Sequence, residues 1–183
     1  MTRKFIGTGV LALFVASVAF AAPASAQGFS PTNLDVGPTI GLGGIGSASL
    51  AIGGRLEKGI KVLPSMGDGI LGIQASVDYY SYGQDFVGVG YDFKYIPIGA
   101  TANYHFVIKD SPKFDPFLGL GLGYSILSCT YPGSGVIDYC PNSGIYFIGR
   151  AGGRYYFQEK MAAYADVGAG AATLNVGLMF KLQ

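Results

Sequence analysis

The chain has little charge and only one histidine. Charged residues make up 13% of its 183 residues, the formal net charge is +1, and there is no basic cluster. This composition argues against a nucleic-acid binder. The sequence also has no metal-binding cluster, P-loop or dinucleotide fingerprint, because its many Gly-x-Gly triplets lie inside alternating apolar segments. We expect no cofactor.

One long apolar run is present, at the N-terminus. Arg3 and Lys4 precede an apolar stretch over 5–22, and a small-residue site ends at Ala26. This pattern predicts a secretory signal peptide over residues 1–26 and a mature domain over 27–183. A membrane anchor helix is the alternative, but the apolar core is short and the cleavage site follows it at once.

The rest of the chain is apolar without a membrane helix. Mean hydropathy is +0.38, there are 30 glycines, and aromatic residues make up 14%. No stretch after the signal peptide approaches 18 consecutive apolar residues. An apolar chain that lacks such a stretch indicates membrane-spanning strands.

The clearest strand pattern lies at 117–127. Large residues such as Leu118, Leu120 and Leu122 alternate with Gly119 and Gly121. A period of two residues predicts a β-strand with a bulky face and a nearly bare one. A small, crowded barrel interior on the bare side, with lipid on the other, explains both faces.

Seven further segments alternate in the same way. An even number of strands places both chain ends on one side, and short turns on that side alternate with longer loops on the other. The pattern predicts an all-β fold, an eight-stranded antiparallel up-and-down transmembrane β-barrel. The predicted strands are 34–43, 47–58, 70–82, 91–107, 117–127, 145–157, 161–170 and 173–182.

Aromatic residues gather near the predicted strand ends, as expected for girdles at the two lipid headgroup levels. One girdle comprises Tyr104, Phe106, Phe114, Phe117, Tyr155, Phe157 and Phe180. The other comprises Tyr79, Tyr80, Tyr82, Tyr91, Phe93, Tyr146 and Phe147.

Charged residues fall on the predicted inner face of the barrel. Because charges removed from water need partners, we expect a salt-bridge network that plugs the lumen; a gated pore for small ions is the alternative. The expected network comprises Arg55, Glu57, Asp78, Arg150, Arg154, Asp166 and Lys181. His105 also faces inward, and no catalytic set can be built around it.

The longest loop, Ser128 to Gly144, contains the two cysteines and no regular pattern. Following a signal peptide, Cys129 and Cys140 meet an oxidising compartment, so we predict a disulfide; metal ligation or two free thiols are the alternatives. The loop either presents a surface for a ligand or is only protected from proteolysis by the bond.

The strand pattern, together with segments 97–106, 115–124 and 152–157, resembles the outer-membrane beta-barrel domain family, which is similar in plan to OmpA and OmpX barrels. The resemblance implies the outer membrane of a Gram-negative-type bacterium, with lipid around the barrel. The terminal segment 175–183 looks like the insertion signal of such proteins, which implies recognition of the C-terminal strand by the barrel-assembly machinery.

These observations predict a non-catalytic protein with a structural or surface-interaction role. A narrow porin-like pore for small solutes or ions is the first alternative. The second is a secreted, lipocalin-like binder of a small apolar ligand. The polar and charged inner face argues against it, because a cavity for such a ligand is lined by apolar and aromatic groups.

Overall fold

Eight antiparallel strands form one closed barrel, which confirms the predicted fold. The computed structural model describes residues 28–86, 89–130 and 142–183. The predicted signal peptide lies outside these residues. The strands are β1 Leu34–Leu42, β2 Ala51–Leu63, β3 Gly69–Phe86, β4 Val89–His105, β5 Phe114–Thr130, β6 Gly144–Gln158, β7 Met161–Ala169 and β8 Leu174–Lys181.

Each strand pairs with its neighbours in sequence, and β1 closes the barrel against β8. In that last ladder Val36 lies opposite Phe180, and Ile40 lies opposite Val176. We call the end of the barrel that holds 28–33 and the end of β8 the terminal end, and the opposite end the hairpin end. Among the described residues, no helix is long and apolar enough to cross a membrane.

The two faces of β5 differ as the alternation predicts. Leu120 points outward with 64% of its surface exposed. At its neighbour Gly121, an added Cβ would lie 2.0 Å from the carbonyl oxygen of Ala100 on β4. The narrow interior therefore leaves no room for a side chain at this position, and the bare face of the strand results from crowding.

Three strands continue beyond the barrel at the hairpin end. Pairing between β2 and β3 stops at Ile52 and Tyr79, whereas β3 and β4 stay paired as far as Phe86 and Val89. The ladder of β4 with β5 continues to Thr130. We call this extension, residues 80–86, 89–95 and 126–130, the protruding sheet.

Two segments that the sequence predicts as loops form part of the protruding sheet instead. The glycine-rich segment 83–90 forms mostly paired strand, and so do residues 128–130 of the long cysteine loop. Glycine does not prevent ladder pairing. The rings of Tyr80 and Tyr95 stack across β3 and β4 with 4.8 Å between centroids. This contact supports the β3–β4 hairpin in the part that no longer pairs with β2.

The bounds of the second strand also differ from those predicted. β2 covers Ala51–Leu63 rather than 47–58. Its ladder with β3 shifts register between Gly59 and Lys61, so the inside and outside pattern changes there. Because a bulge interrupts the alternation without ending the strand, the pairing continues until the turn at Pro64–Met66.

Four of the seven aromatic residues predicted for the girdle at the hairpin end lie in the protruding sheet and share the parity of inward-facing residues. Tyr91 and Phe93 are only 5% and 6% exposed, and Tyr82 packs on Phe93 with 5.4 Å between ring centroids. At the terminal end Phe117 is likewise buried, between His105 and Tyr164. Strand parity decides which face an aromatic residue occupies, whereas the girdle prediction considered only its depth.

The exposed leucines of β5 provide a test of the outward face. Leu120→Arg places a charge near the middle of the apolar band and should cost about 2 to 4 kcal/mol of folding free energy in a bilayer. The measurement is urea titration of protein folded into lipid vesicles, followed by the heat-dependent gel shift of the barrel. Ser47→Arg, an exposed position between β1 and β2, is the matched control. Equal stability of the two variants would contradict the outward assignment.

Candidate functional site

Arg154 occupies the centre of the lumen near the terminal end. Its side chain is fully buried, donates a 2.9 Å hydrogen bond to Asp35 on β1 and also donates to Glu57 on β2. Strand alternation on β6 turns Arg154 inward, toward strands that lie across the barrel. One guanidinium thus joins two carboxylates from the other side of the lumen, in the forked geometry that arginine favours.

Glu57 connects more strands than any other side chain described here. In addition to Arg154, it accepts hydrogen bonds from Gln74 on β3 at 3.1 Å and from Asn103 on β4 at 2.9 Å. The Nε2 atom of His105 lies 2.7 Å from the same carboxylate. A fully buried carboxylate with this many donors is well compensated for its loss of water.

His105 lies between two carboxylates. Its Nε2 faces Glu57, and its Nδ1 lies 2.8 Å from Asp115 on β5. The doubly protonated ring can donate to both acids at once. Within the described residues these acids are the polar partners of the ring, so it forms part of a charged cluster. We call Arg154, Asp35, Glu57, His105 and Asp115 the terminal layer.

A second charged cluster lies closer to the hairpin end. Arg55 donates to Asp78 at 2.9 Å, and Arg150 donates to Asp166. Asn175 on β8 donates to the same aspartate at 2.8 Å. These four charged residues, Arg55, Asp78, Arg150 and Asp166, are the hairpin layer.

Arg150 is held by backbone as well as by charge. It donates to the carbonyl oxygens of Gly168 at 3.1 Å and Ala172 at 2.6 Å, close to the turn between β7 and β8. The guanidinium therefore also hydrogen-bonds carbonyl groups at the end of a strand, where the regular ladder stops.

Lys181 belongs to neither layer. It lies half-buried at the end of β8, with its ammonium group 4.8 Å from the centre of the Tyr156 ring. The hydroxyl of Tyr156 donates to Asp35 at 2.8 Å. Through Tyr156, Lys181 thus lies beside the terminal layer at the end of β8.

The sequence predicts seven charged residues on the inner face, and six of them lie in the two layers. Asp35 and Asp115 belong to the terminal layer but are absent from the predicted network. Both share the parity of inward residues on their strands, and this signal was sufficient to find them. The further polar partners are Gln74, Asn103, Tyr156, Tyr164 and Asn175.

The space left between the side chains of the hairpin layer is small. A cavity of about 20 Å³ is lined by Arg55, Asp78, Arg150 and Asn175, among others, and such a volume holds about one water molecule. Within the described part of the chain, no group of three or more His, Cys, Asp or Glu residues could hold a metal ion.

Only one of the two cysteines of the predicted disulfide is among the described residues. Cys129 lies near the end of β5, in the protruding sheet, opposite Phe93. Cys140 and most of the Ser128–Gly144 loop lie outside the described residues. The bond and the binding role of the loop therefore stay predictions.

If the buried ion pairs of the terminal layer stabilise the barrel, removing their cation should lower the free energy of unfolding. Arg154→Met removes the cation and leaves Asp35 and Glu57 buried without it, which should cost about 3 to 5 kcal/mol of unfolding free energy. Urea unfolding in detergent micelles, monitored by the gel shift, measures the effect. Lys61→Met, at an exposed position on β2, is the control and should change little. Identical midpoints for both variants would show that the buried pairs do not support the barrel.

Comparison with solved structures shows the same architecture. A de novo designed transmembrane β-barrel matches with a TM-score of 0.51 and 14% identity, over 85% of this chain and all of the other. The Ail protein of Yersinia pestis, solved with the heparin analogue sucrose octasulfate, matches with a TM-score of 0.48 and 14% identity, over 81% of this chain and 93% of the other. At 14% identity the likeness to the designed barrel concerns the fold alone. A comparison with curated proteins gives no match.

The sequence also matches a protein family over most of its length. Residues 12–177 fit the family described as outer membrane protein beta-barrel domain. The matched region extends from before β1 into β8 and so includes the strands that carry both charged layers. With its closed barrel, outward apolar face and charged lumen, the chain belongs to the outer membrane protein beta-barrel domain family.

Proposed function

We propose that this chain is a non-catalytic outer-membrane protein with a closed lumen that presents the protruding sheet for interactions at the cell surface. The protruding sheet carries the proposal, because it extends three paired strands beyond the barrel wall where a structural barrel needs only short loops. In the usual plan of such barrels, the terminal end faces the periplasm and the hairpin end faces outward.

The charged layers support a closed lumen. Arg154 and Glu57 meet across the terminal layer, and the hairpin layer encloses room for about one water molecule. Eight strands leave an interior that side chains can fill. Catalysis has no support in this arrangement, because the two nitrogens of His105 face carboxylates and the ring is almost fully buried.

An open strand edge supports a role in surface interaction. Beyond Tyr79, no described strand pairs with β3 on its β2 side, so residues 80–86 present backbone donors and acceptors along one edge. Such an edge can accept an extended polypeptide as an additional strand. Ser81 and Asp85 give the outer side of this edge polar side chains.

Two further partners belong to the proposal. The barrel-assembly machinery would recognise β8, whose pairing with β1 is the step that closes the barrel. A surface ligand could contact the Ser128–Gly144 loop, since this loop follows directly from the protruding sheet at Thr130.

The closed lumen predicts the absence of channel activity. Purified native protein in planar lipid bilayers should give no single-channel openings, because two layers of paired charges block the lumen. If the protein is a narrow pore instead, it will conduct, and Arg150→Ala will change the conductance by leaving Asp166 without its arginine. Openings of the native protein that respond to Arg150→Ala would therefore replace the closed-lumen proposal.

Surface exposure of the protruding sheet is tested by cysteine labelling on intact cells. In a Cys129→Ser, Cys140→Ser background, Ser81→Cys should react with a membrane-impermeant maleimide without lysis, since it projects from the hairpin end. Asp110→Cys, in the exposed turn between β4 and β5 at the terminal end, is the matched control and should react only after lysis. If only Asp110→Cys is labelled on intact cells, the barrel has the opposite orientation, and the proposed surface role of the protruding sheet is wrong.

A further inference from the structure

The segment that precedes β1, residues 28–33, covers the terminal end of the lumen. Phe29 is 6% exposed, and its ring stacks on His105 with 4.0 Å between centroids. The guanidinium carbon of Arg154 lies 4.9 Å from the centre of the same ring. A single aromatic side chain therefore covers both His105 and Arg154, in the geometry of stacking on the first and a cation–π contact with the second.

The segment has a defined shape that keeps Phe29 in place. A turn forms where the amide of Asn33 donates to the carbonyl oxygen of Ser30 at 3.0 Å, and the hydroxyl of Ser30 donates to the Asn33 side chain at 2.6 Å. The amide of Gly59 then donates to the carbonyl oxygen of Asn33 at 2.9 Å. Asn33 is buried, so the turn is fixed to the barrel wall at this end.

The segment passes close to the barrel wall at Gly59 on β2. An added Cβ at Gly59 would lie 2.1 Å from the carbonyl oxygen of Ser30 and 2.9 Å from the Cα of Pro31. Both contacts are with backbone, which cannot move aside as a flexible side chain can. The close fit between the segment and the wall therefore requires the absence of a side chain at this residue.

Beside Phe29 there is space into which the segment can move. A cavity of about 380 Å³ lies between Phe29 and the turn that joins β4 to β5, with Ile108 and Pro112 among its lining residues. His105 and Asp115 also line it. The segment is outside the barrel ladders except next to Gly59, and elements with few ladder bonds are the ones that open locally.

We propose that residues 28–33 form a removable plug, which closes the terminal end of the lumen when docked and exposes the terminal layer when released. Release breaks the stacking on His105 and the contact with Arg154, and leaves the ladder of eight strands intact. Periplasmic water and small cations then reach the carboxylates of Asp35, Glu57 and Asp115. The hairpin layer remains as a second barrier, so release of the plug does not by itself create a channel.

Chymotrypsin reports whether the plug is docked, because it cleaves after Phe29 only when this residue leaves the lumen. We compare three folded proteins in detergent micelles: native, Gly59→Ala, whose new Cβ clashes with the plug, and Gly54→Ala. Gly54 is the matched control on the same strand, since a Cβ there meets nothing nearer than the carbonyl oxygen of Gly37 at 3.8 Å. Intact-mass spectrometry detects the chain that begins at Ser30.

Proteolysis of an opened segment follows the population of its open form, so we expect cleavage after Phe29 to be about tenfold faster or more in Gly59→Ala than in the other two proteins. The gel shift shows that each variant is folded before digestion. Equal cleavage rates in folded native, Gly54→Ala and Gly59→Ala proteins would overturn the plug. If Gly59→Ala does not fold, Asn33→Ala, which lies before β1 and loses the bond from Ser30, must show the faster cleavage instead.

Planar bilayer recordings separate this inference from the proposed closed lumen. Gly59→Ala should remain silent, because the ion pairs of Arg55 with Asp78 and of Arg150 with Asp166 still close the hairpin layer. Channel openings in Gly59→Ala with a silent native protein would make the plug the sole barrier and overturn the two-barrier arrangement. Openings in the native protein would instead count against the proposed function.

Discussion

The structure depends on the closure of its backbone ladder. Inside a bilayer no water is available to pair with amide and carbonyl groups, so a sheet that crosses it must have no free edge. The pairing of β1 with β8 removes that edge. Eight strands also make the barrel narrow, and this explains why Gly121 can have no side chain while Leu120 points outward.

Because the barrel is narrow, burying a charged side chain in the lumen costs much solvation free energy. A carboxylate such as Glu57 has no access to bulk water, so every lone pair must find a donor from another strand. Arg154, Asn103 and His105 provide these donors from β6 and β4. The charged layers thus join strands across the barrel that are not neighbours in the sheet.

The two barrel ends are covered by different parts of the chain. At the hairpin end the continued pairing of β3, β4 and β5 carries the stacked rings of Tyr80 and Tyr95. At the terminal end the segment before β1 covers the lumen, where Phe29 packs on Arg154 and His105. Interaction is therefore proposed for one end and a movable closure for the other.

The sequence by itself determined the number of strands and the face of most inward charges, because a period of two residues is a local property that a single segment displays. It did not determine partners: Arg154 meets Asp35 across a separation of 119 residues, and only closure of the barrel sets that distance. It also failed where a side chain's environment depends on neighbouring strands, as for the buried Phe93 in the protruding sheet and Phe29 over the terminal layer. Pairing register and barrel closure, both tertiary properties, decided these positions.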